Sequence, residues 1–455
     1  MRRPLPSGTR YICEAPPAPH TPDEMTAPIR LLLLALGLAA PLAAQSAAPA
    51  DSIADSRAHY REAVRAYQAR DFTAFLTHAR QAQALRPRHG GVTYALASAY
   101  ALTGDTAGAL ASLRRYAAMG YTADIAADSD FVALRGTAAL ADVERRIAAN
   151  ADPVVRGTPA FTLPERDLLV EGVAYDAREG AFYVSAVHRR KIVRMTPDGR
   201  FSDFAALDGP EGTPLGLRVD PVRRALWVAT AAMPQMRGFS PADSGVSAVV
   251  RYDLDTGTRT GRYPVPADGR AHVLGDLILS RTGEVYASDS RAPVIYRLRP
   301  GGEALELLVE SPLLASAQGL ALTPDGRTLY VADYARGILR VDPASGTIAV
   351  VPAAETVAPL GIDGLYWVNG ALVGIQNGVT PHRVVRLRLA GPAGPITSAE
   401  VLERAHPAHE EPTLGVVVGR DLYYVANSQY ERFGQDGTVA QPDSLKAPVV
   451  LRLRL

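Results

Sequence analysis

Residues 318–334 read QGLALTPDGRTLYVADY. An apolar run is closed by Pro-Asp-Gly-Arg and followed by a second run rich in aromatic and β-branched residues. Pro, Asp and Gly together favour a tight turn, and both flanking runs are of strand length, so the segment predicts an antiparallel hairpin. The same phrase recurs six times along the chain: a residue followed by Gly, a short strand, a turn and a second strand. The phrases begin at Glu171-Gly172, Leu215-Gly216, Leu274-Gly275, Gln318-Gly319, Asp363-Gly364 and Leu414-Gly415, at spacings of 44, 59, 44, 45 and 51 residues. Each leads into a third apolar strand, such as KIVRM at 191–195 or GILRVD at 337–342. Three or four strands repeating about every 40–50 residues predict a six-bladed β-propeller over 158–455. The sixth repeat ends at Leu455 after its third strand, while Pro159-Ala-Phe-Thr-Leu163 precedes the first repeat without a partner. The N-terminal strand is therefore expected to complete the last blade and remove the open sheet edges.

Upstream of the propeller the texture changes. Residues 51–150 are rich in Ala, Leu and Arg and poor in β-branched residues, which favours helix. Tyr60 recurs as Tyr94 and Asp71 as Asp105, both after 34 residues, the period of tetratricopeptide helix pairs. A plain helical bundle is the alternative. The overall class is thus mainly β with an α-helical N-terminal module. Residues 1–50 read as leader and signal peptide, with Met25 as the expected true start: Arg30 precedes the apolar run LLLLALGLAA, and small residues follow. That run is too short to span a bilayer, so a periplasmic or secreted protein without a stable membrane span is expected.

Composition narrows the function classes. The chain has 455 residues, a formal net charge of +1 and 21% charged residues, and its basic side chains are scattered among acids. No single-sign stripe suited to nucleic acid is visible. The only cysteine, Cys13, falls in the leader, which argues against disulfide frameworks, cysteine-type zinc sites and thiol nucleophiles. There is no G-x-S-x-G elbow and no phosphate-binding loop.

In a propeller the starts of first strands and the ends of second strands share one face. That gathers Glu171, Asp276, Gln318 and Asp363 from the former, and His188, Asp289, Asp333, Asn377 and Asn427 from the latter. His272 lies four residues before Asp276. An oxygen-rich ring with little His and no Cys suits a hard divalent cation, and the candidate metal ligands are Glu171, Asp276, Gln318 and Asp363. Polar residues also collect at a channel mouth simply because it is wet, and Asp289 and Asp333 read as loop-fixing acids.

The phrases EGVAYD, GDLILSRTGEVYASDS, QGLALTPDGRTLYVADY and DGLYWVNGALVGIQNG resemble those of the regucalcin, gluconolactonase and paraoxonase-like six-bladed propellers, over residues 161–455. The resemblance implies a divalent cation in the channel, calcium first, with magnesium, manganese or zinc as alternatives. Its ligand positions fall on Glu171, Gly275, Gln318 and Asp363; Gly275 and Gln318 stand where that family has Asn. It further implies metal-dependent hydrolysis of lactones or related esters, with Asp363 or His272 as the proton-transfer residue. A non-catalytic propeller that binds a ligand, or a protein partner through the helical module, is the other class the sequence leaves open.

Overall fold

The computed structural model describes residues 52–210, 212–439 and 441–455. The expected leader and signal peptide, with Met25 and Cys13, lie outside these residues. The N-terminal module comprises α1 (Ser52–Gln68), α2 (Phe72–Leu85), α3 (Gly90–Leu102), α4 (Thr106–Ala118) and α5 (Ala138–Ala149). The 34-residue spacing has a structural cause. Asp71 and Asp105 each start the second helix of a pair: Asp71 Oδ1 accepts from the Ala74 amide at 2.9 Å, and Asp105 Oδ1 from the Gly108 amide at 2.8 Å. Both satisfy a first-turn N–H that the helix itself cannot.

Residues 158–455 form six four-stranded antiparallel sheets. The inner strands are Val170–Asp176, Thr213–Asp220, Leu274–Leu279, Ala317–Leu322, Ile362–Val368 and Gly415–Val418, in blades 1 to 6. The outermost strand of blade 6 is Thr158–Thr162, which pairs with the last strand, Val449–Arg454, and closes the ring as expected. Apolar clusters fill the spaces between neighbouring blades; one joins Tyr183 of blade 1 to Leu217 and Val228 of blade 2.

The recurring Gly has a packing reason. Inner strands crowd near the axis, and a Cβ on Gly319 would stand 2.3 Å from the Asp363 carbonyl oxygen of the next blade. Five inner strands also carry a register irregularity at this point, between Val170 and Val173, Pro214 and Leu217, Leu274 and Asp276, Ala317 and Leu320, and Ile362 and Leu365. Such bulges turn a side chain out of the pleat.

Pairing corrects one detail of the sequence phrase. Leu274 opposes Asp289 and Leu277 opposes Ala287, as Ala317 opposes Asp333 and Leu320 opposes Val331. Gly275 is therefore the counterpart of Gln318, and Asp276 that of Gly319. The phrase beginning at Leu274 is one residue out of step with the others.

The helical module packs on blades 4 and 5. Its apolar core takes in Ala358 and Val379 from the propeller. Arg383, 4% exposed, reaches from blade 5 to the carbonyl oxygens of Met119 (3.1 Å) and Gly120 (3.2 Å) while its Nε donates to Gln376. Arg86 and Arg88 reach the other way, to the carbonyls of Ala335 and Ala354.

Candidate channel site

The register places Glu171, Gln318 and Asp363 at equivalent positions at the starts of three inner strands, each in a bulge. Glu171 and Asp363 are half-buried, and repel each other. Burial pushes the Glu171 carboxyl well above the usual carboxylate range, and the Asp363 and Glu411 charges add to the shift. Asp363 is pushed up to about 7, chiefly by burial, against the opposing hydrogen bond from Asn377 Nδ2 at 2.8 Å. Glu411 is also raised to about 7, by burial and then by Asp363. Three acids thus sit in one poorly solvated space, and no Lys or Arg among the described residues is paired with any of them.

The fourth acid stands differently. Asp276 is 1% exposed and lies between the inner strands of blades 2 and 4, where Gly216 leaves it room. Its Oδ2 accepts from Arg218 at 3.1 Å and from the Leu320 amide at 3.4 Å. Burial outweighs that ion pair and raises its pKa. Two buried carboxylate atoms, Glu171 Oε2 and Asp276 Oδ1, have no hydrogen-bond partner. Gln318 Nε2 donates to Ser316 Oγ at 3.1 Å, and its Oε1 is the atom nearest to a Cβ built on Gly275, at 3.5 Å.

His272 is held elsewhere. Its Nδ1 lies 2.7 Å from Asp289 Oδ2 and its Nε2 2.9 Å from Asp268 Oδ1, so both ring nitrogens are engaged. Asp289 Oδ1 also accepts from the amides of Val273, Arg291 and Ala292. Asp333 does the same for Ala315, Ser316, Ala335 and Arg336. Both fix loops. His188 bonds the Gln235 carbonyl at 2.7 Å, and Asn427 joins the carbonyl of Ala447 to the amide of Val449. Of the second-strand residues, only Asn377 meets the acids directly.

Two participants escaped the sequence reading. Tyr430, in a short 3-10 turn of blade 6, donates its hydroxyl to Glu171, and its amide donates to Glu411 Oε2 at 3.1 Å. Arg218 is the cation on Asp276. The signal for Arg218 was present, since it is a charged residue inside the inner-strand phrase LGLRVD; Tyr430 sits on an irregular loop with no periodic signal.

Among the described residues no group of three or more His, Cys, Asp or Glu side chains is placed to hold a metal ion. An oxygen set of two carboxylates and an amide falls outside that pattern. The unpartnered Glu171 Oε2 beside the repelling Asp363 fits the demand of a hard cation.

Residues 169–366 match the family model described as SMP-30/Gluconolactonase/LRE-like region, and the propeller carries that region. Solved structures of similar fold include the calcium-binding protein regucalcin from Agrobacterium tumefaciens, 16% identical over 65% of this chain and 93% of that one, with a TM-score of 0.46. A gluconolactonase from Xanthomonas campestris is 16% identical over 67% and 94%, with a TM-score of 0.42. Virginiamycin B lyase from Staphylococcus aureus is 16% identical over 58% and 80%, with a TM-score of 0.43. No curated protein matches the chain.

Proposed function

We propose that this protein hydrolyses lactones or related esters at the mouth of its propeller channel, using a divalent cation, calcium first, held by Glu171, Asp363 and the Gln318 amide oxygen. The observation that carries the reading is the pair of desolvated, mutually repelling carboxylates with one oxygen left unpartnered. A purely structural channel gains nothing from such a pair. A cation bound there supplies polarisation of an ester carbonyl and acidification of water.

The remaining roles follow from this chain's own contacts. Asp363, fixed by Asn377 beside the site the cation would take, is the carboxylate placed to take a proton from water and return it. Asn377 fixes which Asp363 oxygen faces inward, and Tyr430 does the same for Glu171. Asp276, tied to Arg218, stands behind the ligands and adds negative potential. His272, with both ring nitrogens engaged, serves as a clamp on residues 268–272. On the leader sequence we place the protein in the periplasm or outside the cell, and we take the helix pairs as a tetratricopeptide-like unit.

The test is metal content of purified protein against the Glu171→Gln/Asp363→Asn variant, followed by a lactone and aryl-ester panel. Stoichiometric metal lost in the variant, with turnover of at least one lactone, is expected; no metal in either protein would end the hydrolase reading. Gly275, at a ligand register position, is what favours the second reading, a propeller that binds without turnover. Bound metal with inactivity across the whole panel would select it.

A further inference from the structure

Beside the channel lies a second space of opposite character. A cleft of about 100 Å³ opens between the helical module and blades 4 and 5. Its lining includes Tyr94, Tyr116 and Tyr121 from the module and Tyr334 from the propeller. The hydroxyls point to other partners: Tyr94 donates to Asp128, Tyr116 to the Thr122 carbonyl, Tyr121 to the Arg88 carbonyl and Tyr334 to Asn377. What the walls offer a ligand is therefore mostly aromatic carbon. Among the described residues no Asp or Glu lines the cleft, while Arg86 does.

Arg86 is only 8% exposed, donates one bond to the Ala335 carbonyl at 3.0 Å, and is paired with no carboxylate among the described residues. Its Nε is buried without an acceptor. A guanidinium taken out of water without an anion is costly, and an unmet Nε–H adds to that cost. Burial lowers the pKa of His89, also in the wall, to about 3, and the Arg86 and Arg57 charges add to the shift.

We propose that this cleft is a binding site for a small monocarboxylate with a single flat apolar ring, its carboxylate paired with Arg86 and its ring held against the tyrosines. A guanidinium matches a carboxylate in charge and planar geometry, and the aromatic walls match a ring. The site is built only where module and propeller meet, which gives the docked module a task of its own. It also abuts the channel: Tyr334 Oη donates to Asn377 Oδ1 at 3.1 Å, and Asn377 in turn holds Asp363.

The experiment is calorimetric titration of the full chain with benzoate, benzamide and inorganic phosphate, in chelator so that channel metal cannot capture the anion. Saturable one-to-one binding of benzoate is expected, with benzamide weaker by about tenfold or more. Arg86→Gln should weaken benzoate by about tenfold or more and leave benzamide unchanged. Gly91→Leu provides a control that spares Arg86: a Cβ there meets nothing nearer than 3.4 Å, so a larger side chain enters the cleft, and all binding should disappear. Equal affinity of wild type and Arg86→Gln for benzoate, equal affinity of benzoate and benzamide, binding of phosphate alone, or no saturable binding would each overturn the proposal. None of these readouts depends on hydrolysis, so the site and the channel reaction stand or fall separately.

Discussion

The channel and the cleft share a wall at Asn377 and Tyr334, yet they are charged in opposite senses. In the channel Glu171, Asp363 and Glu411 crowd together with their carboxyls pushed toward the neutral form. In the cleft Arg86 is buried with no carboxylate partner among the described residues, and burial drives His89 toward its neutral form. Other buried charges have partners: Asp176, fully buried, meets Arg224 at 2.6 Å, and Arg383 donates to Gln376 and the carbonyls of Met119 and Gly120. Folding thus gives the charges that support the blades their ion pairs or hydrogen bonds, and leaves Glu171 Oε2 and Arg86 Nε without a partner in two adjoining spaces. Uncompensated buried charge of one sign is what a ligand of the other sign would relieve.

The strongest way to break the comparison is to remove the channel charges. Glu171→Gln/Asp363→Asn should abolish metal binding and lower lactone turnover by about a hundredfold or more. The same variant should melt higher than wild type without metal, because the repulsion is gone. Elemental analysis, a lactone assay and thermal melts in chelator check the three parts, and a lower melting point would contradict the electrostatic account.

Next in size is the joint between the two regions. Arg383→Met leaves the carbonyls of Met119 and Gly120 and the Gln376 side chain without their donor. It should cost about 3 kcal/mol or more, at roughly 1–3 kcal/mol for each of the groups left unmet. Denaturant titration reads the loss, and limited proteolysis should show the helical module released first.

Protons sharpen the contrast through opposite signs. Asp363 and Glu411 have raised pKa values of about 7 in the fold, so without metal their contribution is fully present below about pH 4 and is lost as pH rises to about 7. His89, depressed to about 3, contributes stability above about pH 6.5 that is lost as pH falls toward 3. In chelator, Asp363→Asn should therefore flatten the loss toward neutral pH, and His89→Asn, which keeps a cap for α3, should flatten the loss on the acid side. Each effect should be about 1 kcal/mol or more, roughly 2–4 °C in midpoint. Melting curves from pH 4 to 8 decide it.

The smallest effect is expected from Tyr430→Phe. Removing the hydroxyl that Glu171 accepts from should cost about 1 kcal/mol or less in stability and weaken metal binding a few-fold, with no change in benzoate affinity. Titration of both ligands against this variant separates the two spaces.

Much of this was legible in the chain. The six phrases, the closing strand at 159–163 and the capping aspartates 34 residues apart are local patterns, and local patterns survive in sequence. Glu171 and Asp363 were legible because a polar residue before a Gly at the start of an inner strand stands out against apolar neighbours. Gly275 shows the limit: the repeat phrase puts Leu274 level with Gln318, the family resemblance puts Gly275 there, and the pairing of Leu274 with Asp289 and Leu277 with Ala287 gives the physical register that no single phrase records. Tyr430 and Arg86 were invisible for a related reason. One sits on an irregular turn, the other at a helix exit that looks solvated until the module docks.

By itself, then, the sequence determined the repeat, the blade number, the ring closure and the two acids at the starts of inner strands, because alternation, turn chemistry and capping are written within a few residues of each other. The tertiary structure alone decided which side chains lose their water together. Burial of Glu171 beside Asp363, the pairing of Asp276 with Arg218 and the isolation of Arg86 among tyrosines each require elements 50 or more residues apart to meet. Charge acquires its chemistry from that meeting, since desolvation depends on every neighbour at once and not on any one stretch of chain.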